Sequence, residues 1–412
     1  MIHERERHAV TTADIEAAAQ RLSGIVRDLP LVEPRWLEEI VGGEVRLVTE
    51  NLQRAGSFKI RGAYNRIAQL TDEEKARGVV AASAGNHAQG VALAAQRLGV
   101  RATVFMPEAA SIPKVAATRG YGAEVVLTGA TLDEALVTAL EYAEETGAVI
   151  IHPFDNADIV AGQGTLGLEI LAKMPEVRTV VVCTGGGGLL AGVALAIKST
   201  RPDVKVVGVQ AQEAAAYPPS LAAGHPVRLP HMATMADGIA VGLPGDVPFA
   251  VVEELVDEIR TVTEDELATA VVRLLERSKL VIEPAGAAAL AGVLADPSAF
   301  EPPVAVVLSG GNVDPLVLLR IIRRGLVSAG RYLAMSIRMK DTPGSLARLL
   351  NDIGSRQANV VDIEHHRDDA GLGFDEVEIV VHVETRGPEH CDALVEYLRN
   401  SGYAIAARGS GP

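Results

Sequence analysis

The feature that most restricts this chain is an alternation, from about residue 75 to residue 325, of short β-branched runs with alanine- and leucine-rich helical stretches. GVVAAS leads into HAQGVALAAQRLG, ATVFMP into IPKVAATRGYG and EVVLTG into TLDEALVTALEYAEETG, before AVIIHP. VRTVVVCT then leads into LLAGVALAIKST, KVVGVQA follows, and VAVVLSGG precedes DPLVLLRIIRRG. Strands that are apolar throughout need cover on both faces, and strands separated by helices pair in parallel, so the pattern predicts an open doubly wound α/β fold. Ligands of such sheets bind beyond the carboxyl ends of the strands, which is where the glycine-rich turns of this chain fall.

Near Gly330 the rhythm changes. LAMSIRM, the turn DTPG, SLARLLNDIGSRQ, ANVVDIEHHRD, FDEVEIVVHVET, PEHCDALVEYLRNSG and YAIAA read as strand, helix, strand, strand, helix and strand. That is the split βαβ order of a ferredoxin-like βαββαβ unit, for which roughly 80 residues suffice. With 412 residues, 48% of them hydrophobic, the chain exceeds what one core usually supports.

A net charge of -15 disfavours nucleic acid and anionic membrane surfaces, both of which require a clustered basic face. A small-molecule partner fits better. Cys183 and Cys391 are too few for a disulfide framework and lack metal-ligand spacing, which suggests a reducing compartment. The N-terminus is charged and then amphipathic, without the apolar core of a secretory signal, so a cytoplasmic location is expected. The uncharged stretch Thr179 to Ile197 is interrupted by four glycines and reads as strand, turn and helix, not as a membrane span.

Four short segments carry the chemistry. In Ser57-Phe58-Lys59-Ile60-Arg61-Gly62-Ala63 a lysine sits beside an aromatic ring at the start of an amphipathic helix. Most lysines are solvated surface residues, but a Schiff-base lysine must be partly desolvated, and this position offers that. Thr184-Gly185-Gly186-Gly187-Gly188 follows a strand and opens a helix; a tight turn would explain one or two glycines, whereas four in a row suit a phosphate cradle of backbone amides. Ser83-Ala84-Gly85-Asn86-His87 offers amides and an amide side chain for a carboxylate or a ring oxygen, although it reads equally well as an N-cap and turn. Within it, His87 alone is better read as structural than as an acid or base. Ser309-Gly310-Gly311-Asn312 places a hydroxyl at the end of a central strand, and alone it would be read as a turn. Gly162-Gln163-Gly164-Thr165-Leu166-Gly167 fits G-x-G-x-x-G but follows no strand, so a dinucleotide site is rejected.

SFKIRGA, SAGNHAQG, AGQGT, GGGGLLAG, IEPAGAAAL and SGGN occur in this order. In that order they resemble the fold-type II pyridoxal-phosphate enzymes, and most closely the threonine dehydratases (threonine ammonia-lyases), over roughly residues 10 to 325. The tail, with Asp341-Thr342-Pro343-Gly344-Ser345-Leu346, resembles an ACT domain, an amino-acid-sensing module. The resemblance implies a tryptophan synthase β-like catalytic domain over residues 1–328, with a small subdomain at about 57–155 inserted in the large one, and an ACT domain over 329–412. It implies pyridoxal 5'-phosphate as cofactor, with Lys59 as the covalent lysine and Lys59, Ser83 and Asn86 as catalytic residues. Phe58, Lys59, Asn86, Gly185, Gly186, Gly187, Gly188, Leu189, Glu283, Ser309 and Gly310 would hold the cofactor, with Ser309 facing the pyridine nitrogen. Ser83, Ala84, Gly85, Asn86 and His87 would hold the substrate.

The implied reaction is β-elimination of L-threonine to 2-oxobutanoate and ammonia in isoleucine biosynthesis. A neutral hydroxyl at Ser309 would favour elimination over racemisation or transamination. Ala84 stands where serine racemases place a second serine, and Gln210 and Ala216 stand where metal-dependent relatives place carboxylates, so no divalent metal site is expected. A branched-chain effector, isoleucine or valine, would bind at Asp341, Gly344 and Leu346, with Asn359 and Val360 close enough to help or to complete a partner's site. A homo-oligomer, dimer or tetramer, is implied as well. Two other readings stay open: a serine-preferring or broad-specificity catabolic dehydratase, and a non-catalytic amino-acid sensor.

Overall fold

The structure, a computed structural model, describes residues 10–367 and 371–409. The chain forms two compact units, Met1–Leu318 and Leu319–Pro412. Among the described residues thirteen strands are laid down in order. They are β1 (Val45–Val48), β2 (Val79–Ala82), β3 (Ala102–Met106), β4 (Glu124–Leu127), β5 (Val149–Ile150), β6 (Thr179–Cys183), β7 (Lys205–Ala211), β8 (Glu258–Val262), β9 (Val304–Val307), β10 (Tyr332–Lys340), β11 (Asn359–His366), β12 (Glu376–Glu384) and β13 (Ala404–Gly409).

In the first unit β1, β9, β6, β7 and β8 form one parallel sheet in that order, and β4, β3, β2 and β5 form another. The chain therefore leaves the larger sheet after β1, completes the smaller one, and returns to add its central strands. Each parallel pair is joined through a helix, as chain direction requires. β3, β6 and β9 are buried along their whole length, as expected of Val- and Ala-rich strands sandwiched between helices. This is the α/β architecture of fold-type II enzymes.

The segment set aside as a false dinucleotide motif lies in the middle of the helix Ala157–Lys173. Its glycines serve helix packing instead. A Cβ on Gly162 would lie 2.6 Å from Gly62 Cα, and one on Gly164 would lie 2.9 Å from Gly192 O, so the helices bearing Lys59 and the glycine cradle can approach only because these side chains are missing. The strands β1 and β8 were not anticipated from the sequence.

In the second unit β11, β12, β10 and β13 form an antiparallel sheet in that order. The helices Ser345–Ser355 and Pro388–Asn400 complete a ferredoxin-like βαββαβ arrangement. Met335, Ile337, Ile379 and Val381 meet Leu349, Ile353, Leu394 and Leu398 in its core. Among the described residues no helix is long and apolar enough to cross a membrane.

Candidate active site

Lys59 is the first residue of the helix Lys59–Ala68, and the loop before it is stitched to the Ser309 turn. Ser57 pairs with Gly310, Phe58 N donates to Ser309 O at 3.1 Å, and Gly311 N donates to Gly56 O at 2.9 Å. Segments 250 residues apart in sequence are thereby joined at the end of β9. The Lys59 amine donates to Pro153 O at 2.9 Å and lies 5.1 Å from the Phe58 ring centroid. Burial lowers its pKa to about 8, against the partial restoring effect of Cys183 and Glu283. A substantial share of the amine is thus neutral near physiological pH, the state a nucleophile or base requires.

A buried ion cluster fixes this helix. Arg61, fully buried, forks onto Glu50 at 2.9 and 2.8 Å and onto Glu169 at 2.6 and 2.9 Å, and also reaches Thr165. Its partners come from the turn after β1 and from the helix Ala157–Lys173, so Lys59 is anchored from two directions.

The tetraglycine turn connects β6 to the helix Gly188–Thr200. Gly187 has φ +98°, and Gly186 lies so close to Phe154 that a Cβ would run into its ring. Gly186 O accepts from Gly245 N at 3.2 Å and from the Tyr217 hydroxyl at 3.4 Å. Carbonyl and N–H of one trans peptide point opposite ways, so these bonds aim the Gly187 amide at the other side. Among the described residues the amides of Gly185, Gly186, Gly187, Gly188 and Leu189 donate to no backbone acceptor. Five such donors at a helix start have the chemistry an anion requires.

Asn86 begins the helix Asn86–Leu98 after Gly85, beside which a Cβ would meet nothing within 4 Å. The Asn86 amide nitrogen donates to Glu283, and its oxygen accepts from Asn312 Nδ2 at 2.7 Å. Glu283, buried ahead of the helix Pro284–Ala295, is pushed up to about 7 by burial and by nearby Asp237. Ser83 and Ala84 are half-buried in the same loop, where Ser83 Oγ accepts from Gly85 N at 3.2 Å. His87 is buried and donates from Nε2 to Ile151 O at 2.7 Å; burial drives its pKa to about 3, so the ring is a neutral brace between helix and strand. At Ser309 the hydroxyl accepts from Cys183 Sγ at 3.0 Å, and burial pushes that thiol up to about 11. The structure thus brings Lys59, the Ser83–His87 loop, Glu283, the tetraglycine amides and Ser309 to one cleft at strand ends. Phe154 and Tyr217 adjoin it and were not anticipated, and the Ser57 hydroxyl is buried and unpartnered.

Residues 22–310 match the family described as pyridoxal-phosphate dependent enzyme. This chain belongs to that family. Residues 334–391 match the ACT domain, so the enzyme carries an ACT domain in its second unit. It is 46% identical to an L-threonine ammonia-lyase of Thermotoga maritima over 402 residues, 97% of this chain and 100% of that one. An L-threonine dehydratase, catabolic TdcB, from Staphylococcus aureus is 44% identical over 324 residues, 77% of this chain and 94% of its own length. The solved processed form of threonine deaminase isoform 2 from Solanum lycopersicum superposes with a TM-score of 0.74 at 38% identity, covering 77% of this chain and 87% of that one. Maize serine racemase superposes with a TM-score of 0.73 at 35% identity, covering 78% and 99%.

The enzyme uses pyridoxal phosphate, and the residues present fit it. A dianion matches five free amides, a partly neutral lysine stands at the end of β9, and Ser309 keeps its own proton available because it accepts from Cys183.

The second unit holds a pocket of about 330 Å³ lined by Lys340, Asp341, Gly344, Leu346, His365 and Arg367 among others. Asn359 and Val360 do not line it. They begin β11, whereas His365 lies at its far end, roughly 20 Å along the strand.

Proposed function

We propose that this chain is an L-threonine ammonia-lyase, dehydrating and then deaminating threonine to 2-oxobutanoate and ammonia. The observation that carries the reading is the meeting, in one cleft, of a lysine near pKa 8 with the free amides of the tetraglycine turn. Bound pyridoxal phosphate supplies the electron-withdrawing ring that makes an amino acid's Cα–H acidic. Lys59 Nζ would take that proton from one face, and an equivalent proton goes to the departing β-hydroxyl, which leaves as water. The amides of Gly185 to Leu189 would hold the phosphate, and Asn86, steadied by Glu283 and Asn312, would hold the ring oxygen. Ser309, a neutral hydroxyl, would supply no acidic proton to the ring nitrogen, and the weaker electron sink would favour elimination over racemisation or transamination. The loop Ser83–His87 receives the substrate carboxylate through its amides, with Ser83 contributing its hydroxyl.

The reading includes catalytic residues 1–328, regulatory residues 329–412, a homo-oligomer and a cytoplasmic setting. Isoleucine, as end product, is the proposed effector in the pocket at Asp341, Gly344 and Leu346. The 46% identity to a full-length L-threonine ammonia-lyase favours threonine over serine as substrate. Measuring 2-oxo acid release from threonine and from serine, each with and without isoleucine, tests the proposal. A higher kcat/KM for threonine, lowered by isoleucine, is expected; faster release from serine would favour the catabolic alternative.

A further inference from the structure

Glu283 sits under the influence of two charges that belong to neither the lysine helix nor the glycine turn. Lys114, in the first turn of the helix Ile112–Gly120, reaches Asp237 Oδ2 at 2.7 Å. Asp237 opens the short turn Asp237–Ile239, and the next residue, Gly238, lies beside Ala285 and the Glu283 carboxylate. A Cβ on Gly238 would lie 2.9 Å from Ala285 Cβ and 3.7 Å from Glu283 Oε1. The ion pair thus spans from the smaller sheet's helices, which also carry Asn86, to the turn resting on Glu283. Asp237 and Lys114 act on Glu283 together with Lys59, while the nearby Cys183 thiol, pushed up to about 11, stays uncharged. Asp237 opposes its ionisation, and Lys114 and Lys59 favour it.

We propose that Lys114 and Asp237 are positioning residues that act on Glu283 with opposite sign, and through it set how firmly Asn86 is held in the cleft. An ionised Glu283 accepts a charge-assisted bond from the Asn86 amide, whereas a neutral acid accepts a weaker one and lets Asn86 swing. Burial holds Glu283 near 7, so small nearby charges tip it within the physiological range. The pair is partly exposed, at 21% and 63% for the two side chains, so its influence is open to screening by salt. A clasp that only tied two segments together would respond alike to the loss of either partner. An electrostatic setting would not. Removing Lys114 leaves Asp237 unopposed and raises the pKa of Glu283; removing Asp237 leaves Lys114 unopposed and lowers it.

The inference rests on the reading of this cleft as the catalytic site, and the test separates the two. The pH dependence of the cofactor absorbance band of the holoenzyme is measured for wild type, Lys114→Gln, Asp237→Asn and Lys114→Arg, with Glu283→Gln identifying the transition near pH 7. The midpoint should rise by about half a pH unit in Lys114→Gln, fall by about as much in Asp237→Asn, and return in Lys114→Arg. In 1 M salt the two variants should converge. The acid limb of kcat/KM for threonine should move the same way. Midpoints that shift in one direction, or stay fixed, or a wild-type band without the Glu283 transition, would overturn the inference. A wild type that bound pyridoxal phosphate but released no 2-oxobutanoate would overturn the functional reading instead, and the absorbance titration, which needs no substrate, would still decide the role of the pair.

Discussion

Lys59 and Glu283 sit where burial moves both toward neutrality, whereas Lys340, Asp341, His365 and Arg367, all exposed to water, line the pocket of the second unit. Both places use a helix start opened by glycine: the tetraglycine turn before Gly188–Thr200, and Gly344, with φ +88°, before Ser345–Ser355. In the cleft, desolvation is the main cause at Lys59, Glu283 and His87 alike. In the pocket, the Asp341 carboxyl is held below its usual range chiefly by its bond to Arg367 at 2.8 Å. Removal of water prepares groups to exchange protons, and pairing in water prepares groups to recognise a charged ligand and release it. The contrast predicts large, salt-insensitive effects from changes in the first region and small, salt-sensitive ones in the second.

The largest effect is expected from Lys59→Ala, which should lower turnover by about a thousandfold or more with an unchanged unfolding temperature, because it removes the covalent anchor and base but no core packing. Retention of more than a few per cent of the rate would place the essential amine elsewhere. Gly186→Ala comes next. Its Cβ meets the Phe154 ring, and overpacking of about 1–3 kcal/mol should weaken pyridoxal phosphate binding by roughly 5- to 150-fold. Equal dissociation constants in wild type and variant would show that the turn yields freely.

Removing residues 329 to 412 should leave threonine deamination intact and abolish the response to isoleucine, a change within the roughly 5- to 150-fold range of most couplings. Inhibition at the same isoleucine concentration in the truncated enzyme would put the effector in the cleft. The smallest effect is that of Asp341→Asn, which should raise the half-inhibiting isoleucine concentration by about two- to fivefold at low salt and less at high salt. An effect of a hundredfold would mean that the pocket is as desolvated as the cleft.

Features with a local cause were legible in the sequence. Four successive glycines after VRTVVVC announce free amides because no Cβ can cover them, and the order of strand and helix after Gly330 announces the ferredoxin-like unit through period alone. Features made by tertiary proximity were not. Arg61 looks like an ordinary helix residue until Glu50 and Glu169 converge on it, and Phe154, Tyr217, Lys114 and Asp237 reach the cleft from segments with no motif of their own. β1 and β8 escaped notice because four- and five-residue strands with polar members give no sustained alternation. Gly162, Gly164 and Gly167, rightly set aside as a dinucleotide motif because no strand precedes them, owe their spacing to the close packing of helices.

The most direct test of the central claim is borohydride reduction of the yellow holoenzyme followed by peptide mapping, on the same preparation that is assayed for 2-oxobutanoate formation from L-threonine. A single reduced pyridoxyl adduct on Lys59 is expected, with loss of colour and of threonine turnover in proportion to its formation. An adduct on another lysine, or threonine turnover that survives complete modification of Lys59, would contradict it.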